Sequence, residues 1–194
     1  MKWRAAAACV ALALAAAGAA EPLPPDSAYQ LQAALVTQSG AAAQLDLYRG
    51  QPVLVAMFYG SCPAACPMLI TGIQTYEGHL EGPARARLRV LLVSFDAARD
   101  TPAALSALAR LHRADPTRWT FAAAAEPGAR KIAALLGVQY RRQPDGGFDH
   151  SLLITLLDGD GRILASTSKV VGDDAFLARL RAATTQPVPH GSDR

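Results

Sequence analysis

The hydrophobic pattern along the chain switches between short unbroken apolar runs and longer amphipathic stretches. Residues 53–59 read Val-Leu-Val-Ala-Met-Phe-Tyr and residues 88–95 read Leu-Arg-Val-Leu-Leu-Val-Ser-Phe. Apolar runs of this length, with little or no polar alternation, predict strands covered on both faces of a sheet. Between them a helix is predicted from residue 67 to about 80, opened by Pro67, because proline at the first helical position wastes no backbone donor. Asp100-Thr101-Pro102 predicts a second helix to about residue 113, with Thr101 or Asp100 as its cap. Residues 119–122 predict a short strand, and residues 127–136 a helix stopped by Gly137. Two runs, 151–157 and 162–166, flank the turn signal Asp158-Gly-Asp-Gly161 and predict a hairpin. Asp173 caps a last helix to about residue 183, and near the start residues 29–36 and 43–47, split by Ser39-Gly40, predict another short hairpin. Strands alternating with helices, then a closing hairpin and helix, imply a single α/β sandwich around a mixed central sheet. There is no internal repeat.

The N-terminus is patterned differently. Lys2 and Arg4 precede an apolar stretch over residues 5–17 and the small residues Gly18, Ala19 and Ala20, the layout of an export signal. Its apolar part is shorter than the roughly 20 residues that span a bilayer. The expected organisation is a signal peptide or membrane anchor over 1–20, a proline-rich linker over 21–28, a folded domain over 29–185 and a flexible tail over 186–194. The expected location is the periplasm, with the protein soluble or tethered to the inner membrane through residues 1–20. Cys9 falls inside this segment without the leucine that a lipidation site favours.

Composition narrows the picture only slightly. The hydrophobic fraction of 51% is inflated by alanine, and the aromatic fraction is 6%, so the core must rest on the Ile, Leu and Val runs. The net charge of +3 comes from scattered arginines, among them Arg85, Arg87, Arg99, Arg110, Arg130 and Arg181, with no basic run interleaved with aromatics. That distribution describes solvated helix faces and speaks against a nucleic-acid surface.

The candidate chemistry lies where the strand ending at Tyr59 meets the next helix, in Gly60-Ser61-Cys62-Pro63-Ala64-Ala65-Cys66-Pro67. With the export segment set aside, Cys62 and Cys66 are the two remaining cysteines. A pair this close is a poor structural staple, since it closes a very small loop. The end of a buried strand is a usual place for sites in α/β sheets, and a helix N-terminus favours thiolate. Thiolates serve two chemistries, disulfide exchange and soft-metal binding. Two thiolates plus one imidazole suit copper, whereas structural zinc and iron–sulfur clusters want a fourth ligand. The pair alone leaves both uses open, and a third ligand must separate them. Of the four histidines, His79 is expected on the surface, His112 late in a helix and His190 in the tail. His150 stands apart, at the start of the predicted strand 151–157 and beyond a flexible Asp145-Gly146-Gly147.

Three separated motifs then carry a resemblance. Tyr59-Gly-Ser-Cys62-Pro-Ala-Ala-Cys66-Pro67 resembles the CxxxCP motif of the SCO/SenC copper chaperones, which serve cytochrome c oxidase assembly. Ser94-Phe-Asp96-Ala-Ala-Arg99-Asp100-Thr101-Pro102 is similar to that family's S-x-D-x-x-R-D-T-P segment, and Asp149-His150-Ser151 with Asp158-Gly-Asp-Gly161-Arg162 to its D-H-S and D-x-D-G-R stretch. The resemblance covers roughly residues 29–180 in the same order. It implies a thioredoxin-like fold with an inserted hairpin, and copper, as Cu(I) or Cu(II), held by Cys62, Cys66 and His150. It also implies a metallochaperone that delivers copper to a respiratory oxidase. The partners would be a copper-accepting oxidase subunit, with a thiol reductant or an upstream copper donor. The alternative is a thiol–disulfide oxidoreductase, with Cys62 and Cys66 as a redox-active pair that reduces the oxidase cysteines; peroxidase activity at Cys62 is a third reading. One departure is Ala64, where the family usually carries aspartate.

Several further residues admit two roles. Met57 and Met68 flank the site and are expected to fill the core rather than bind copper. Asp96, Arg99 and Asp100 either form a charged rim for a partner or serve local structure; Asp100 is assigned to helix capping and Arg99 is left open. Trp119 is expected in the core. Asp149 either orients His150 or accepts a turn hydrogen bond.

Overall fold

A computed structural model describes residues 22–62 and 65–185. Residues 1–20, the 186–194 tail and Ala64 lie outside the described residues. The chain is already packed at Ser27 and Ala28: the Ala28 amide donates to the Gly161 carbonyl at 2.8 Å, and the Ser27 hydroxyl donates to the Asp160 carbonyl at 2.5 Å.

The two unbroken apolar runs form the centre of the sheet. β3 (Val53–Phe58) is buried at all six positions, and β4 (Arg89–Ser94) at five of six. They pair in parallel, and β5 (Trp119–Ala124) continues the parallel set beside β4. β1 (Leu35–Thr37) lies antiparallel to β5 and carries the short β2 (Ala42–Ala43) outside it. On the other side β8 (Ile154–Leu157) runs antiparallel to β3, and β9 (Ile163–Thr167) closes that edge. The order β2-β1-β5-β4-β3-β8-β9 makes a seven-stranded mixed sheet, as the alternation of elements predicted. Strands buried on both faces need cover on both, which the helices supply.

Those helices are α1 (Ala65–Gly78), α2 (Gly82–Arg87), α3 (Pro102–Leu111), α4 (Gly128–Leu136) and α5 (Asp174–Thr185). Their caps follow the residues read from sequence. Thr101 Oγ1 accepts the Ala104 amide, Asp173 accepts the Phe176 amide, and Gly137 ends α4 at φ 74°. α1 is tied to the sheet by Glu77, whose buried carboxylate accepts from Trp119 Nε1 at 3.0 Å and from Arg118. Burial pushes the Glu77 carboxyl above its ordinary range, and the Arg118 guanidinium pulls it back. Trp119 is thus a core residue, as expected.

Four local expectations are corrected. Residues 29–30 and 45–47 belong to 3-10 turns rather than strands, so the first hairpin is only β1 and β2. α2 was not foreseen, because just one of its six residues, Ala84, is buried and no apolar period marks it. His150 does not begin the strand at 154. It ends β7 (Phe148–His150), which pairs with β6 (Tyr140–Arg142) as a two-stranded ribbon outside the main sheet. Asp145-Gly146-Gly147 is the ordered turn of that ribbon: Gly146 sits at φ 84°, its amide donates to Gln143, and the Gly147 amide donates to Asp145 Oδ1. This ribbon is the inserted hairpin. Finally, Met57 is in the core, but Met68 is 54% exposed, because α1 turns Cys66, Leu69, Ile70 and Ile73 inward.

Candidate metal centre

The centre is assembled from three segments that are distant in sequence. β3 delivers the chain to Tyr59 and Gly60, and the loop that follows places Cys62 beside the first turn of α1, where Cys66 sits. Both cysteines are buried and neither is in a disulfide. The Cys66 amide donates to Cys62 Sγ at 3.4 Å, which fixes the first sulfur over the start of the helix.

His150 is brought in by the ribbon. The ligand atoms of Cys62, Cys66 and His150 all lie within 4.8 Å of one another, and among the described residues this is the group of Cys, His and acidic side chains able to hold a metal ion. His150 Nδ1 lies 3.1 Å from the Ser151 carbonyl oxygen. A carbonyl only accepts, so Nδ1 carries the proton and Nε2 presents its lone pair. Nε2 is buried without a hydrogen-bond partner. Buried acceptors are nearly always satisfied, so a nitrogen left this way beside two thiols fits a site built for a cation.

The walls are aromatic. Tyr59 and Phe95 meet the imidazole edge-on at centroid distances of 5.6 and 5.4 Å, and Phe148 packs against both rings at 5.1 and 5.0 Å. The Tyr59 hydroxyl donates to the Phe148 carbonyl at 3.4 Å and lies at hydrogen-bond reach of Cys62. This dry setting shifts the proton equilibria. Burial pushes the His150 imidazolium down from its ordinary range, so the ring is neutral at neutral pH. Burial also pushes the Cys66 thiol far up. The expectation that the helix N-terminus would favour thiolate at Cys66 is therefore corrected, because desolvation outweighs the helix dipole. A bound cation would reverse that balance by replacing the proton.

The neighbouring residues fall into place differently from their sequence reading. Asp149 points away from the ring, 70% exposed at its side chain, with Arg141 Nη2 at 3.9 Å; the Ser151 carbonyl orients the ring instead. Asp100 is not the cap of α3. Its buried carboxylate accepts the Gly60 amide at 2.8 Å and the Ser94 hydroxyl. Arg99 pairs with Asp96, the bland alternative, and also reaches the ribbon turn. Asp158-Gly-Asp-Gly161 is a turn, with Asp158 Oδ1 accepting two amides at 2.9 Å. Tyr59, Phe95 and Phe148 were missed as walls of the site; no periodicity marks them, because each sits just past or within a strand whose partner is remote.

A family model described as SCO1/SenC matches residues 24–185. A search of curated proteins gave no significant match. Among solved structures the fold is similar to yeast Sco1 with copper bound, at TM-score 0.68 and 17% identity, covering 81% of this chain and 89% of that one. It is similar to Arabidopsis thaliana ScoI with copper bound, at TM-score 0.65 and 16% identity, covering 77% and 96%. It is likewise similar to Bradyrhizobium japonicum ScoI with copper bound, at TM-score 0.62 and 23% identity, covering 78% and 96%. The architecture is the thioredoxin-like one that the motifs implied.

Proposed function

The chain belongs to the SCO1/SenC family, and from that premise we propose that it is a metallochaperone that holds one copper ion with Cys62, Cys66 and His150 and passes it to a respiratory oxidase. The observation that supports this most is the convergence of two sulfurs and one imidazole within 4.8 Å, with His150 Nε2 dry and unbonded. The donor set is soft enough for copper(I), and the imidazole adds the nitrogen that copper(II) favours. Copper is cargo here. Cys62 and Cys66 give up their protons as they take it, His150 is already neutral, and release proceeds by exchange against thiolates and imidazoles of an acceptor subunit. The aromatic walls keep water from competing at the imidazole.

The setting proposed is the periplasm, reached through residues 1–20. Among the described residues no helix is long and apolar enough to cross a membrane.

Titrating the reduced protein with copper(I) and copper(II) tests the assignment. One equivalent bound, with copper(II) weakened in His150→Ala, is the expected result; no stoichiometric binding, or copper(II) binding indifferent to His150→Ala, refutes it. The same variant separates the oxidoreductase alternative, in which Cys62 and Cys66 would cycle with a disulfide partner whether or not His150 is present. The two readings are compatible in one molecule, since oxidation of Cys62 and Cys66 to a disulfide would abolish copper binding.

A further inference from the structure

The motif over residues 94–102 is left unexplained by the three ligands. It runs from the end of β4 through the loop into α3, and its polar side chains make contacts in two directions. Ser94 and Asp100 face the cysteine loop. The Ser94 hydroxyl donates to Asp100, whose Oδ2 accepts the Gly60 amide at 2.8 Å, two residues before Cys62. The approach is so close that a Cβ on Gly60 would lie 2.5 Å from Asp100 Oδ1.

Asp96 and Arg99 face the ribbon. The Asp96 side chain is 1% exposed, and its carboxylate accepts from Arg99 Nε through Oδ2 and from Arg142 Nη2 at 3.3 Å through Oδ1. Arg99 continues through Nη2 to the Gly146 carbonyl at 2.5 Å, in the ribbon turn. Arg142 lies in β6 opposite Phe148 and stacks over that ring at 4.6 Å, while Tyr140 lies opposite His150 and stacks on Phe95 at 4.4 Å. A two-stranded ribbon has no sheet neighbour to fix its position, and isolated hairpins are marginal in water. What holds this one against the domain is a set of side chains outside it: Phe95, Asp96 and Arg99 of this motif, with Tyr59 against Phe148 and with Glu126 and Arg130 against Tyr140.

We infer that residues 94–102 form a clamp that grips the cysteine loop with one end and the histidine ribbon with the other, and that Asp96 and Arg142 are positioning residues that set where His150 stands relative to the sulfurs. They touch no ligand atom. The buried Asp96 carboxylate is the fixed point, because a charge so desolvated holds its partners more firmly than a surface pair. The consequence for copper rests on the function proposed above; the clamp itself does not. Loosening it weakens the site that needs all three ligands, copper(II), and spares copper(I) held by the two sulfurs.

The test uses the full reduced chain and two arginines that are neighbours on opposite faces of β6. Arg142→Met keeps the packing on Phe148 but drops the charge on Asp96; Arg141→Met removes only the loose pair with Asp149. Expected are amide hydrogen exchange over residues 140–150 faster by about tenfold in metal-free Arg142→Met and within about twofold of wild type in Arg141→Met. Copper(II) affinity should fall by about the same tenfold in Arg142→Met while copper(I) affinity holds, and Arg142→Lys should restore part of both. Asp96→Asn, if folded, should exceed Arg142→Met in both readouts. Equal ribbon exchange in Arg142→Met and Arg141→Met overturns the clamp, whatever copper does. A clear difference in exchange with no copper bound by wild type upholds the clamp and refutes the proposed function instead.

Discussion

The two halves of the centre are built by opposite means. The sulfur half grows out of β3 and α1, whose inward residues Phe58, Leu69, Ile70 and Ile73 are all fully buried. The nitrogen half hangs on a ribbon outside the main sheet, whose strand β6 has two exposed residues of three. The sulfurs are placed by the folding of the core itself, whereas the imidazole is placed by a few aromatic and charged contacts. Damage to the first half should cost the fold or all metal binding, and damage to the second should alter selectivity in a protein that still folds.

The widest gap between the halves should appear in Cys66→Ser, for which copper(I) affinity falls by about a thousandfold, on the order of 4 kcal/mol, in a competition titration. Close behind, Phe58→Ala should lower unfolding free energy by about 3–5 kcal/mol in denaturant melts, as expected for a fully buried aromatic in a central strand. His150→Ala should lose about a hundredfold in copper(II) affinity while metal-free stability stays within about 1 kcal/mol, because the lost packing is offset by removal of a dry, unbonded acceptor. A destabilisation by His150→Ala as large as that of Phe58→Ala would erase the distinction. Gly60→Ala probes the joint between the halves: the collision with Asp100 should cost about 1–3 kcal/mol in the same melts. The smallest effect belongs to Asp149→Asn, which should leave stability within about 0.5 kcal/mol and copper binding unchanged, since its side chain faces solvent.

The same contrast explains what could be read from the sequence. The core half is legible because unbroken runs such as 53–58 admit few interpretations, and the capping residues Thr101, Asp173 and Gly137 act within one turn of their helices. The ribbon is not. Residues 140–142 and 148–150 are short, partly charged and without alternation, and their placement depends on Asp96, 46 residues before Arg142. His150 was accordingly singled out by motif resemblance, and its strand was misplaced. Asp100 was misassigned for a related reason: an acidic residue before Thr-Pro suits a helix cap, and nothing local reveals that Gly60 competes for it from another strand. Met68 was expected inside because methionine is apolar, but a helix that already turns Cys66 and Leu69 inward leaves position 68 facing out.

The hydrogen bond from His150 Nδ1 ends on a main-chain oxygen, that of Ser151. Every amino acid at position 151, proline included, brings the same oxygen. The Ser151 hydroxyl and amide are engaged elsewhere, each holding the backbone of Gln139, at 3.0 and 2.9 Å. One residue thus splits its duties, with its carbonyl steering the imidazole while its other polar atoms fasten the segment that carries it.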